Sequence, residues 1–80
     1  MGKSLSSTES EKLAALLRSV RSEAGLTQAE IAERLGVPQS FVSKYESGER
    51  RLDVIELRHV CKALGFSLGD FVRRLEKEIS

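Results

Sequence analysis

Apolar residues recur three and four positions apart along most of the chain, and glycine interrupts them at intervals. Leu13, Leu16, Leu17, Val20 and Ala24 form one stripe, closed by Gly25. Ile31 and Leu35, with Ala32 between them, form a second, closed by Gly36. Val42 and Tyr45 are three apart and can share an inward face with Val37. Ile55, Leu57, Val60, Cys61 and Leu64 form a fourth stripe, closed by Gly65, and Val72, Leu75 and Ile79 run through a fifth. This is the spacing of amphipathic helices. Glycine just past a stripe suits a left-handed C-terminal residue, which costs nothing without a Cβ. No stretch alternates as a strand would, so the pattern predicts an all-α fold.

The helix starts are specified as sharply as the ends. Thr27 precedes Glu30 by three, the spacing of a capping box, and Leu26 and Ile31 can close a hydrophobic staple around it. Thr8 with Glu11 predicts a first helix beginning near Thr8, and Asp53 with Glu56 a fourth beginning near Asp53. Ser67 with Asp70 caps the fifth, where Phe66 and Phe71 have staple spacing. Pro38 is expected at the first position of the third helix, where its missing amide hydrogen is not needed. That helix is predicted over 38–46. Residues 1–7 are expected to be a disordered tail and 8–80 one folded domain.

Leu26 to Gly48 thus reads as two short helices joined by a tight glycine turn, with polar side chains to spare on the second. Its segments Thr27-Gln28-Ala29-Glu30-Ile31-Ala32, Gly36, Pro38-Gln39-Ser40, Val42-Ser43-Lys44 and Glu46-Ser47-Gly48 resemble the Cro/repressor-type helix-turn-helix family, the XRE-type regulators of bacteria and phages. Ala32 matches the small residue where the two motif helices cross, Gly36 the turn glycine, and Val42 the apolar residue that locks the second helix onto the first. The flanking helices fit the family's compact five-helix, lambda-repressor-like DNA-binding domain.

Composition bounds this resemblance. Eighty residues, 40% hydrophobic and 31% charged, suit one domain with a modest core. No apolar run is long enough for a membrane span, and no signal-peptide pattern is present. Met1-Gly2 with Ser6 fits the N-myristoylation pattern, for which chance is the favoured explanation. The single cysteine, Cys61, lies in an apolar helical pattern and reads as a core residue rather than a redox sensor; a reducing cytoplasm is expected. The single histidine, His59, has no cysteine or histidine at ligand spacing, so no metal site is expected. With no catalytic constellation and no phosphate-cradling glycine loop, the chain is not expected to be an enzyme, and no cofactor or small-molecule ligand is implied. Net charge is only +1, low for a nucleic-acid binder. Lys44, Arg50 and Arg51 nevertheless gather on or after the second motif helix, while Glu9, Glu11, Glu23, Glu76 and Glu78 lie towards the ends.

The resemblance assigns roles to individual positions. Gln39, Ser40, Ser43 and Lys44 are the expected base-reading set. Gln39 has a donor and an acceptor for adenine, Lys44 can donate to guanine, and the serines serve either base type or a phosphate. Phosphate contacts are expected from Thr27 and Gln28 at a helix start, where the free amides favour an anion. They are also expected from Ser47, Gly48, Arg50 and Arg51 in the loop that lies along the phosphates in the family. For Arg51 a solvated charge is the alternative. Arg21 late in the first helix matches an arginine that pairs with the glutamate at Glu46, fixing the second motif helix and turning Arg21 towards the DNA backbone. Phe41 is open between a contact at the groove edge and a place in the core.

One helix-turn-helix touches few base pairs, so specific binding needs a dimer with half-sites about 34 Å apart. The fifth helix, through Phe71, Leu75, Ile79 and Leu68, is the candidate interface, core packing being the alternative for the same residues. The expected function is a homodimeric, sequence-specific regulator of transcription that binds double-stranded DNA. The competing expectation is a protein-interaction adaptor or antitoxin module on the same scaffold, favoured by the near-neutral charge and the two serines.

Overall fold

The computed structural model describes residues 7–80, and these form five helices. They are α1 (Ser7–Glu23), α2 (Gln28–Leu35), α3 (Gln39–Ser47), α4 (Val54–Leu64) and α5 (Leu68–Ile79). No strand occurs among the described residues, so the fold is all-α as the pattern predicts.

Local chemistry sets the helix limits. Thr27 Oγ1 accepts the Glu30 amide at 3.1 Å while Glu30 Oε1 accepts the Thr27 amide at 2.8 Å, which completes the capping box of α2. Asp53 and Glu56 repeat this arrangement at α4, and Ser67 caps α5 through the Asp70 amide. Gly36 ends α2 with φ of +71°, a conformation that a Cβ would strain. Its turn directs α3 back across α2.

Two starts differ from expectation. Ser7 is already helical, so Thr8 lies inside the first turn of α1 rather than ahead of it. The rest of the expected tail, with the Met1-Gly2 and Ser6 pattern, lies outside the described residues. Pro38 is the cap of α3, not its first helical residue, because its ψ of 153° is extended. That helix therefore runs one residue later at both ends than expected.

The core gathers Leu16, Leu17 and Val20 of α1, Ile31 and Ala32 of α2, Val42 and Tyr45 of α3, Val60, Cys61 and Leu64 of α4, and Phe71 of α5. Leu26 and Phe66, the outer halves of the two staples, pack against it. Cys61 is fully buried and unpaired, the core residue that its pattern suggested. Four members of the predicted stripes fall outside, one of them Ile79, half-buried at the end of α5. Ala24 is exposed beyond the end of α1, and Val72 lies at the edge of the α5 stripe, 37% exposed. Ile55 is 62% exposed because it sits nearly opposite Leu57 on the α4 helical wheel, while Leu57, Val60, Cys61 and Leu64 share the inner face. Between α1 and α5, Arg74 donates to Glu23 Oε2 at 2.8 Å and Lys12 Nζ to the Glu78 carbonyl at 3.3 Å.

Candidate nucleic-acid interface

The outer face of α3 is held by what its inner face buries. Val42 and Tyr45 enter the core, and next to them Glu46 is the one buried charged residue among those described. Its carboxylate is fully partnered. Arg21 Nε donates to Oε2 at 2.7 Å and Arg21 Nη2 to Oε1 at 3.0 Å, a two-point pairing of guanidinium with carboxylate. Gln28 Nε2 adds a third donor to Oε1 at 3.0 Å. Arg21 Nη1 also donates to the Leu26 carbonyl at 2.8 Å, at the turn between α1 and α2. The hydrogen bond to Glu46 raises the Arg21 pKa above its ordinary value, against the opposing effect of burial. The pair anticipated from the resemblance is therefore formed, and it joins α1 to α3.

Its donors point inward, however. Three of the five guanidinium N–H groups of Arg21 bind within the chain, which leaves two for the phosphate contact expected of this residue. Gln28 is likewise turned inward. Besides binding Glu46, it accepts from Gln39 Nε2 at 3.4 Å through its Oε1. For the expected phosphate contact its side chain keeps the second Nε2–H, beside the backbone amide at the start of α2. A chain of hydrogen bonds thus runs from Arg21 through Glu46 and Gln28 to Gln39. The sequence contained every residue of this chain but not the Gln28–Gln39 link, which depends on where the Gly36 turn places α3 over α2.

Gln39, Ser40 and Lys44 are exposed. Gln39 keeps its amide oxygen and its second N–H free for a base edge, and Lys44 Nζ has no ion pair among the described residues. Ser43 is half-buried and donates its hydroxyl hydrogen to the Ser40 carbonyl at 3.3 Å, so it faces outward chiefly as an acceptor. Thr27 spends its oxygen on the cap, but its hydroxyl hydrogen remains to donate. After α3, Gly48 takes φ of +86°, while Ser47 Oγ donates to the Lys44 carbonyl at 3.1 Å. Arg51 is exposed. Arg50 is half-buried: its guanidinium pairs with Glu56 at 2.8 Å and lies over the ring of Phe41. Phe41 itself is half-buried against Tyr45, with ring centroids 5.8 Å apart and planes at 82°.

A two-helix motif with a buried lock behind α3 and polar groups in front of it can be compared with known proteins. The family model described as "Helix-turn-helix domain" matches residues 12–76. The chain belongs to the helix-turn-helix family. Among relatives of this family, the HTH-type transcriptional regulator y4dJ of Sinorhizobium fredii is 44% identical over 53 residues, spanning 66% of this chain and 69% of that protein. The solved structure of an XRE-family like protein from Pseudomonas syringae pv. tomato is 48% identical, covers 88% of this chain and 85% of its own, and superposes with a TM-score of 0.81. The restriction-modification controller protein C.Esp1396I, solved as a tetramer with its natural 35 base-pair operator, is 28% identical and superposes with a TM-score of 0.85. That alignment covers 92% of this chain and 97% of the controller protein. The helix-turn-helix domain described here is thus an XRE-type, DNA-binding member of a family of transcription regulators. Among its described residues no group of side chains is arranged to hold a metal ion, and no helix is long and apolar enough to cross a membrane.

Proposed function

We propose that this protein regulates transcription by binding an inverted-repeat operator as a homodimer, with α3 in the major groove. The carrying observation is the exposure of Gln39, Ser40 and Lys44 on one side of a helix whose other side is fixed by Val42, Tyr45 and the Arg21–Glu46 pair. A helix held this way presents its N-terminal residues to base edges. Gln39 reads adenine and Lys44 guanine; Ser40 and Ser43 accept or bridge through water. Thr27, the Gln28 amide, Ser47, Gly48 and Arg51 contact phosphates. The low net charge fits an interface in which affinity comes from a few localised contacts.

The dimer surface expected from the sequence, α5, retains little free apolar area. Phe71 is fully buried, and Leu68 and Leu75 pack against the core. Ile79 alone of that set lies outside the core cluster, and it is half-buried. The most exposed apolar side chains stand instead at the start of α4, where Val54 is 65% and Ile55 62% exposed, against 37% for Val72 of α5. These two adjacent side chains are the surface offered to a second copy. The operator-bound assembly of the controller protein supports a reader that acts as more than one copy.

The test is selection from random duplexes at about 0.1 M salt, a concentration at which phosphate contacts alone bind weakly. Recovery of an inverted repeat by the wild type, lost in Gln39→Ala/Lys44→Ala, is the expected result. Absence of enrichment, with salt-insensitive capture of a protein partner, would turn the reading to the adaptor or antitoxin module.

A further inference from the structure

Arg50 is the residue whose surroundings depart most from its expected role. Its guanidinium lies 4.4 Å from the centroid of the Phe41 ring. Its Nη2 donates to Glu56 Oε2 at 2.8 Å and its Nη1 to Glu56 Oε1 at 3.2 Å. Nη1 also donates to the Arg51 carbonyl at 3.0 Å, and the Arg50 amide donates to the Lys44 carbonyl at 3.1 Å. Phe41 and Lys44 belong to α3, Arg51 to the loop, and Glu56 to the capping box of α4, where it also accepts the Asp53 amide at 2.9 Å. One side chain therefore joins the reading helix, the loop that follows it and the start of the next helix.

We propose that Arg50 is a positioning residue for DNA recognition, clamping α3 to α4 through Phe41 and Glu56, and not a phosphate ligand; this rests on the DNA-reading function above. A guanidinium is planar and weakly hydrated, so it can stack on a ring while its edge meets a carboxylate. Phe41 is engaged in the same clamp, which takes it from the groove edge. The clamp uses three of the five guanidinium N–H groups, and a phosphate drawn to the remaining Nε–H and Nη2–H would stand beside the Glu56 carboxylate, setting two negative charges close together. Each partner already favours the charge of the other. The Arg50 guanidinium is the main cause holding the Glu56 carboxyl below its ordinary value, and Glu56 raises Arg50 above its own.

The test compares Arg50→Gln, Arg50→Lys and Glu56→Gln in binding to the selected operator and to a scrambled duplex across a salt series. Glutamine at 56 still accepts the Asp53 amide, so that variant spares the cap while it removes the charge and the acceptor of the Arg50 Nη2 bond. The clamp predicts that Arg50→Gln weakens operator binding by about threefold to tenfold, the scale of one cation–π contact and one exposed charge pair. Scrambled-duplex affinity and the salt slope stay unchanged. Glu56→Gln also weakens operator binding although it makes the protein more positive, and Arg50→Lys, which keeps a cation near Phe41, recovers part of the loss. A phosphate ligand predicts the opposite pattern. Arg50→Gln would then weaken both duplexes equally and lower the slope by about 0.9, and Glu56→Gln would strengthen binding. Either result overturns the proposal.

Amide hydrogen exchange in the free protein supplies a readout without DNA. The Arg50 amide should exchange faster in Arg50→Gln and Glu56→Gln, and equal rates overturn the clamp. A wild type with no preference for any duplex overturns the DNA-reading function and Arg50's part in it, while exchange still decides separately whether the clamp exists.

Discussion

Removing one partner of the Arg21–Glu46 pair should cost more stability than removing one partner of any other ion pair described. Its side chains are 14% and 3% exposed, so neither charge is well solvated. Arg21→Met keeps an aliphatic stem but removes two of the three donors to the Glu46 carboxylate, leaving Gln28 alone. Stranding one partner of a buried pair costs about 3–5 kcal/mol. A domain of 80 residues has about 4–12 kcal/mol in total, at roughly 0.05–0.15 kcal/mol per residue. At about 4–8 °C per kcal/mol, the melting temperature should fall by at least about 12 °C. Circular dichroism melts and urea titrations measure both quantities. The companion variant Arg21→Met/Glu46→Leu replaces both charges with apolar groups and should return to within about 1 kcal/mol of wild type, since a buried pair is often no more stabilising than its hydrophobic replacement. It should not regain operator affinity, because Gln28 has lost the acceptor that orients it towards Gln39. A loss under about 1 kcal/mol for Arg21→Met alone would refute the reasoning and place the pair among ordinary surface ion pairs.

The apolar pair on α4 gives the next prediction. Val54→Asp/Ile55→Asp should leave the melting temperature of dilute protein nearly unchanged, since both side chains are exposed, yet abolish the dimer in sedimentation and cooperative binding to both half-sites. An unchanged dimer would send the interface back to α5. At alkaline pH, burial raises the Cys61 thiol from 9.0 to about 11 and pushes the Tyr45 hydroxyl up as well. Both stay neutral in the folded chain after the unfolded chain has begun to ionise. The contribution of Cys61 is full below pH 9.0 and is lost as pH rises towards about 11, while that of Tyr45 begins to fall only above 10.0, so melting temperature should drop from about pH 9 upward. The Cys61 thiol should also resist a thiol reagent at pH 8, about its reactive range when exposed, until the protein is unfolded. At acid pH the sign reverses. Glu30 is lowered by the Thr27 amide and side chain, Glu56 by Arg50 and the Asp53 amide, and Glu23 by Arg74. Their contribution is present above the ordinary value of 4.5 and disappears as pH falls through the lower folded values, so acid melts should steepen below 4.5 and flatten in Glu30→Gln.

Number and order of the helices, and their ends to within a residue, were legible in the sequence because capping and turn chemistry act within four residues. Thr27 with Glu30, Asp53 with Glu56, and the left-handed Gly36 are local facts that any fold of this chain must accommodate. The Arg21–Glu46 pair, 25 residues apart, was visible only through resemblance to a family. What the sequence left open depended on which of several chemically able partners stands nearest. Arg50 carries the charge of a phosphate ligand, and Phe41 suits a groove or a core equally. Only the return of the loop after α3 sets that guanidinium between the Phe41 ring and Glu56. Gln28 has the amide of a phosphate contact, and only the crossing of α2 by α3 brings it between Glu46 and Gln39. Periodicity alone gave the stripe on α4 one member too many. Helix direction and the neighbours supplied by α2 and α5 decide that Leu57 turns in and Ile55 remains outside. Local backbone preference belongs to the sequence itself; the pairing of distant side chains belongs to the packed chain, because proximity across the fold selects among partners that composition makes equally capable.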